Sequence, residues 1–143
     1  MSPPVRVVIN AVALVLALVC GAARADVVAV VSAKSPVAHL TRTEVADLFL
    51  GRSSHFPDGG HAVPIDQAEG TPARDEFYVT FTGKSAAQLK AYWSKIIFTG
   101  RGQPPRTAAN DVEVRKVVAA NPNAIAYLQR GAVDASVKVL TIP

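Results

Sequence analysis

Cysteine is almost missing from this chain: Cys20 is the only one, and it lies in an apolar stretch near the N-terminus. Disulfides and thiol chemistry are therefore excluded from the body of the protein, whose stability must come from its core. Aromatic residues are also scarce, at 6% of the chain, with a single tryptophan. Basic stretches with interleaved aromatics, the footprint of nucleic-acid binding, are lacking, and no nucleic-acid partner is expected. Nor is there an uninterrupted apolar run of the roughly 20 residues that a membrane span needs. The nearest approach, residues 7–19, is broken by Asn10.

That run follows Arg6 and precedes "ARA" at 23–25, which is the three-part build of a secretory signal. Residues 1–25 are accordingly read as a signal peptide, the expected mature chain begins at Asp26, and the destination is the periplasm, with the export signal as the only contact with a membrane. Two rival readings stand beside it. One is an uncleaved N-terminal anchor; the other is acylation of Cys20, although Val19 occupies a position where that processing prefers a small side chain. Residues 26–143 make one domain of ordinary size. They carry 13 basic and 11 acidic residues, a net charge of +2.

"DVVAVVSA" (26–33) is a continuous β-branched run of the kind found in a strand covered on both faces, as in parallel sheets. Thr41 and Glu44 form a T-x-x-E capping box for a helix whose apolar face is Val45, Leu48 and Phe49, closed by Gly51. "HAVPID" (61–66) reads as a short strand. Thr71 as N-cap and Pro72 at the first helical position then start a helix with Ala73, Phe77, Tyr78 and Phe81 on one face, ended by Gly83. Ser85 and Gln88 make a second capping box, with Leu89, Tyr92 or Trp93, and Ile96 turned inward. "TGRGQPPR" (99–106) breaks regular structure, Asn110 with Glu113 caps a helix bearing Val114, Val117 and Val118, and "AIAYLQ" (124–129) and "VKVLTI" (137–142) read as closing strands. The order β-α-β-α-α-α-β-β belongs to one α/β layer domain, with a mixed, mostly parallel sheet flanked by helices.

The stretch with chemistry in it is "PIDQAEGTPARDEF" (64–77), a strand end running through small residues into a helix. A helix N-terminus offers unpaired backbone N–H groups and a partial positive charge, and Gly70 lets an oxyanion approach them. The Thr71 hydroxyl and the Arg74 guanidinium could add donors. Gly-Thr-Pro is equally a good helix start in its own right, with Arg74 paired to Asp75, Asp66 or water. Glu69 would compete for the same N–H groups, so in the free protein it is expected to plug the niche.

Elsewhere the signals are thinner. His55, Asp58 and His61 share one turn-rich loop, but their spacing matches no metal signature, and no metal or other cofactor is expected. A G-x-S-x-G nucleophile elbow is lacking, so the chain is not read as an enzyme. Tyr92 and Trp93 read as helix-packing surface rather than a ligand stack. "GRGQPPR" (100–106) is either a solvated linker or a basic loop through which Arg101 approaches an anion held at the Gly70 turn.

In order along the chain, "SPVAHLTRTEVADLFLG", "AVPIDQAEGTPARDEF" and "NPNAIAYL…VKVL" resemble three segments of the phosphate-type substrate-binding proteins of ABC importers. The resemblance implies a periplasmic-binding-protein-like domain of the second type over 26–143, and a role in binding phosphate or another small oxyanion. It also implies an ABC importer membrane component, or another periplasmic protein, as partner. In that family a Ser-Gly-Thr run holds phosphate at a helix N-terminus; Gly70 and Thr71 match, Glu69 stands in place of the serine, and Arg74 and Phe77 match the following arginine and aromatic after two inserted residues. The arginine that precedes the motif has no counterpart, and "SAKSP" (32–36), beginning at Ser32, stands where a glycine- and threonine-rich phosphate loop would be. Full receptors are about twice this length and close two lobes over the ligand. The alternative is a module that kept the fold, lost the ligand and binds a protein partner.

Overall fold

The computed structural model describes residues 26–143, so the signal-peptide and Cys20 readings fall outside the described residues. Strand β1 (Val27–Ser32) is followed by helix α1 (Arg42–Phe49), β2 (Val63–Gln67), α2 (Pro72–Thr82), α3 (Ala86–Phe98), β3 (Arg106–Ala108), α4 (Asp111–Ala120), β4 (Ala124–Gln129) and β5 (Val137–Val139). The five strands form one mixed sheet in the order β3-β2-β4-β1-β5. β2 runs parallel to β3 and β4, whereas β1 runs antiparallel to β4 and β5.

Alternation along the central strands divides the interior into two cores. Ala29 and Val31 of β1, with Ile125 and Tyr127 of β4, face α1, α2 and α3; Val28, Val30, Ala126 and Leu128 face α4. Topology requires the helices to be split this way. The chain crosses the sheet from β2 to β3 through α2 and α3, then returns past β2 to β4 through α4, and crossovers of one hand in opposite directions must lie on opposite faces.

The local signals are realised in detail. Both capping boxes are closed: Thr41 accepts from the Glu44 amide and Glu44 from the Thr41 amide, and Ser85 and Gln88 do the same for α3. Asn110 caps α4 by accepting from the Glu113 amide. Gly83 ends α2 in the left-handed region, at φ 70°. Two expectations are corrected. β3 starts at Arg106, the last residue of the stretch that reads as irregular, and leaves no sequence signal because a three-residue, largely exposed edge strand carries no hydrophobic period. The last strand pairs only over Val137–Val139, because Thr141 turns to the loop before α1, exchanging backbone bonds with Ala38 and Leu40.

Phe77 is the centre of the larger core. It is fully buried, stacks on Tyr127 at 4.0 Å between ring centroids and meets Phe49 edge-on at 4.7 Å. Phe77→Ala is expected to cost about 3 to 5 kcal/mol, lost aromatic contact plus cavity, in urea unfolding. A loss below about 1 kcal/mol would show that the cluster collapses freely and does not organise the core.

Candidate functional site

The end of β2 places a carboxylate inside the protein. Asp66 is 2% exposed and sits against α2 and β4. The Tyr78 hydroxyl of α2 donates to its Oδ2 at 2.5 Å, the Tyr127 hydroxyl of β4 donates to Oδ1, and the Gln67 amide donates to Oδ1 at 2.8 Å. Arg74 Nε approaches Oδ1 at 3.6 Å while its guanidinium lies over the Tyr78 ring, 5.4 Å from the centroid. That Nε is sealed from solvent and lies too far from Asp66 for a hydrogen bond. Arg74 and Tyr78 are one helical turn apart, so a single face of α2 meets the carboxylate. The next residue points through the sheet: Gln67 Nε2 donates to Asp111 Oδ1 at 2.7 Å, in the first turn of α4, and to the Tyr127 carbonyl at 3.2 Å.

Three residues later the chain makes the Gly70 turn, with φ 89° at the glycine. The conformation favours glycine, and a Cβ there would meet nothing within 4 Å, so the turn opens to solvent. The Thr71 hydroxyl donates back to the Ala68 carbonyl at 3.0 Å and does not cap the helix. Pro72 has no N–H, and the helical ladder begins with the Asp75 amide on the Thr71 carbonyl at 3.3 Å. The Ala73 and Arg74 amides therefore find no acceptor among the described residues. Beside the turn lies a cleft of about 220 Å³ bordered by Glu69, Arg74, Lys90, Trp93 and Ser94.

These positions redraw the expected site. Gly70, Thr71 and Arg74 do come together at one helix N-terminus, but Arg74 is turned inward onto Asp66 and not back toward the turn. Glu69 is exposed and accepts no hydrogen bond from the α2 amides, so the expected plug is not formed. Ser32 is buried at the far end of the sheet, its hydroxyl donating to the Ala119 carbonyl at 3.4 Å. It lies there because β1 is antiparallel to β4, which carries the C-terminal end of β1 to the opposite edge from the C-terminal end of β2. Arg101 lines a different cavity, on the other side of α3. His55 and His61 pair with each other, rings 5.6 Å apart, and no cluster of three metal-ligating residues occurs among the described residues. Of the three partners open to Arg74 in the sequence, Asp66 is the one it faces. The two tyrosine donors to Asp66 had no signal there, and Lys90 and Ser94 look like ordinary surface positions of α3.

Burial first, then the Asp66 charge, raises the phenol pKa values of Tyr78 and Tyr127 far above the ordinary range. Both remain protonated donors while the protein is folded. Their folded pKa values lie above the unfolded value of about 10, so their stabilisation is full below that pH and is lost as pH rises beyond it toward the folded values. No more than one of the three tyrosines should then form phenolate before the protein unfolds, as ultraviolet absorbance against circular dichroism would show. Two or more phenolates in the folded protein would contradict the buried network. Asp66→Ala, which strands two buried hydroxyls, is expected to cost about 3 to 5 kcal/mol, and Asp66→Asn less because one acceptor oxygen remains.

Compared with known proteins, the chain matches no family model and no curated sequence. Solved structures match it over 82% of its length. They include a Clostridium perfringens protein described as a phosphate ABC transporter substrate-binding protein with bound phosphate, at TM-score 0.65, 20% identity and 44% of that chain. An ABC-type phosphate transport receptor from Vibrio cholerae matches at TM-score 0.64, 15% identity and 46% of its chain. PstS from Borrelia burgdorferi matches at 0.61, 10% and 47%. The chain thus spans less than half the length of these proteins, and none of their descriptions is of an enzyme. Among the described residues no helix is long and apolar enough to cross a membrane. The fold of this chain is the periplasmic-binding-protein-like fold of phosphate receptors.

Proposed function

We propose that this protein is an exported binding protein for phosphate or a related small oxyanion, held at the N-terminus of α2 and delivered to an ABC importer. The observation that carries the reading is the pair of amides at Ala73 and Arg74 left without acceptors among the described residues, at a helix start next to a cleft bordered by Arg74 and Lys90. Their partial positive charge and the lysine ammonium complement an oxyanion, with Gly70 clearing its approach and Thr71 able to turn its hydroxyl outward. The occurrence of the same fold in a structure with bound phosphate supports the choice of anion. Ser32 and Arg101 have no part in this site.

The reading is binding and not catalysis. Ser94 is the hydroxyl bordering the cleft, and among the described residues no base is hydrogen-bonded to it. Affinity should be modest. Each charge-assisted bond contributes roughly 1.5 to 3 kcal/mol, and the guanidinium that would add two such bonds is engaged with Asp66.

Calorimetric titration with phosphate, then sulfate, tests the site. Saturable binding is expected, weakened by Thr71→Ala. Glu69→Ser should tighten it roughly fivefold, about the 1 kcal/mol that separates unit charges near 4 Å in water. Absence of heat and of thermal stabilisation with both anions would reduce the turn to a helix start.

A further inference from the structure

Residues 77–110 contain no aspartate or glutamate, yet they carry Lys84, Lys90, Lys95, Arg101 and Arg106. None of the five enters an ion pair among the described residues, in which Arg52, Arg74, Arg115, Lys116 and Arg130 are the paired cations. Four of them are exposed; Lys84 is half-buried over the Tyr92 ring. The segment runs from the second half of α2 through α3 to β3, and two of its unpaired cations, Lys95 and Arg101, share one cavity.

The same segment leaves apolar surface uncovered. Ile97 is 54% exposed and Phe98 91% exposed, at the C-terminal end of α3. Ile97 borders the oxyanion cleft, and Phe98 stands out at the end of α3, on whose other side lies a groove. The groove, about 580 Å³, lies between α3 and the end of α1, with Leu50, Tyr92, Trp93 and Ile96 in its walls and Lys95 and Arg101 among its lining residues. No carboxylate lines it.

We infer that this groove docks an acidic segment of a partner protein. An aromatic or aliphatic side chain of that segment enters between Tyr92, Trp93, Ile96 and Leu50, and carboxylates on either side of it meet Lys95 and Arg101. Charge complementarity selects the occupant: the walls offer burial to an apolar anchor, and the rim offers Lys95 and Arg101 with no competing carboxylate. An inorganic oxyanion would use the rim and leave the walls bare. A bilayer surface would meet Phe98 but not fill a concavity behind α3. The groove lies on the other side of α3 from the oxyanion cleft; Trp93 borders both, so peptides are titrated in phosphate-free buffer and phosphate alone is titrated as a control.

Trp93 is the only tryptophan and forms part of the groove wall, so its emission reports occupancy. The full chain is titrated with a set of synthetic hexapeptides, each with a central Phe or Leu flanked by Glu, and with the same peptides carrying Lys in place of Glu. Saturable emission changes with the Glu set are expected, weakening as salt is raised. In the double variant Lys95→Glu with Arg101→Glu, affinity for the Glu peptides should fall about tenfold and the preference should reverse toward the Lys peptides. Both positions are exposed, so the thermal midpoint should stay in place, and reversed preference would show a folded, recharged surface. Equal responses to Glu and Lys peptides, or no response to any, would overturn the inference. So would binding to phosphatidylglycerol vesicles without peptide binding, which would make this a lipid-facing surface. Self-association abolished by Phe98→Ser, with no peptide response, would assign the patch to a second copy of the chain.

Discussion

A carboxylate taken out of water is the constraint on which this structure depends. Removing Asp66 from solvent costs several kcal/mol, and the cost is met only if donors surround both oxygens. They come from separate places: a hydroxyl from α2, a hydroxyl from β4 and the amide of the next residue, with the charge of the Arg74 guanidinium nearby. Satisfying the charge therefore sets the rotation of α2 about its axis and its height above the sheet. Since Gln67 points to the opposite face and binds Asp111, the same strand end also positions the start of α4. Two successive residues thus fix helices in both outer layers.

This arrangement decides what is left for a ligand. Arg74 is 14% exposed along its side chain and is directed toward Asp66, so the residue whose sequence position suggests an anion clamp serves as an internal counterion. The turn before α2 keeps its backbone donors because Thr71 spends its hydroxyl on the Ala68 carbonyl and not on the helix. On the proposed reading an anion at this turn meets main-chain N–H groups and Lys90, with Glu69 at the same cleft opposing them. Backbone donors are held by the helix itself and cost little ordering, but they supply less charge than a guanidinium, which places the burden of attraction on Lys90.

Much of this was legible in the sequence where the physics is local. The Thr41 and Ser85 capping boxes, the Pro72 helix start and the strand at Ala124–Gln129 depend on neighbours within four residues, and they were read correctly. The run at β1 announced burial on both faces and is buried on both faces, but composition does not encode direction. An antiparallel strand with helices on either side looks the same as a parallel one. That one undetermined sign separated Ser32 from the Gly70 turn by the length of the sheet. The Asp66 network was invisible for another reason: its hydroxyl partners lie 12 and 61 residues away, a separation no window detects.

Net charge misleads in the same way, because it sums over regions that the fold keeps apart. Residues 26–76 hold eight acidic and four basic side chains, residues 77–110 hold five basic and no acidic, and residues 111–143 are nearly even. A balance of +2 therefore conceals a polar molecule whose α3 side attracts anions over about a Debye length, some 8 Å at physiological ionic strength. Such a field draws inorganic oxyanions and acidic protein segments alike, so it cannot distinguish them. Discrimination has to come from shape at short range. A cleft of about 220 Å³ beside helix amides suits a compact oxyanion, whereas a groove of about 580 Å³ with aromatic walls gains from an apolar anchor. Because α3 stands between the two, its lysines serve both attractions, Lys90 at the cleft and Lys95 at the groove, with Trp93 in the wall of each.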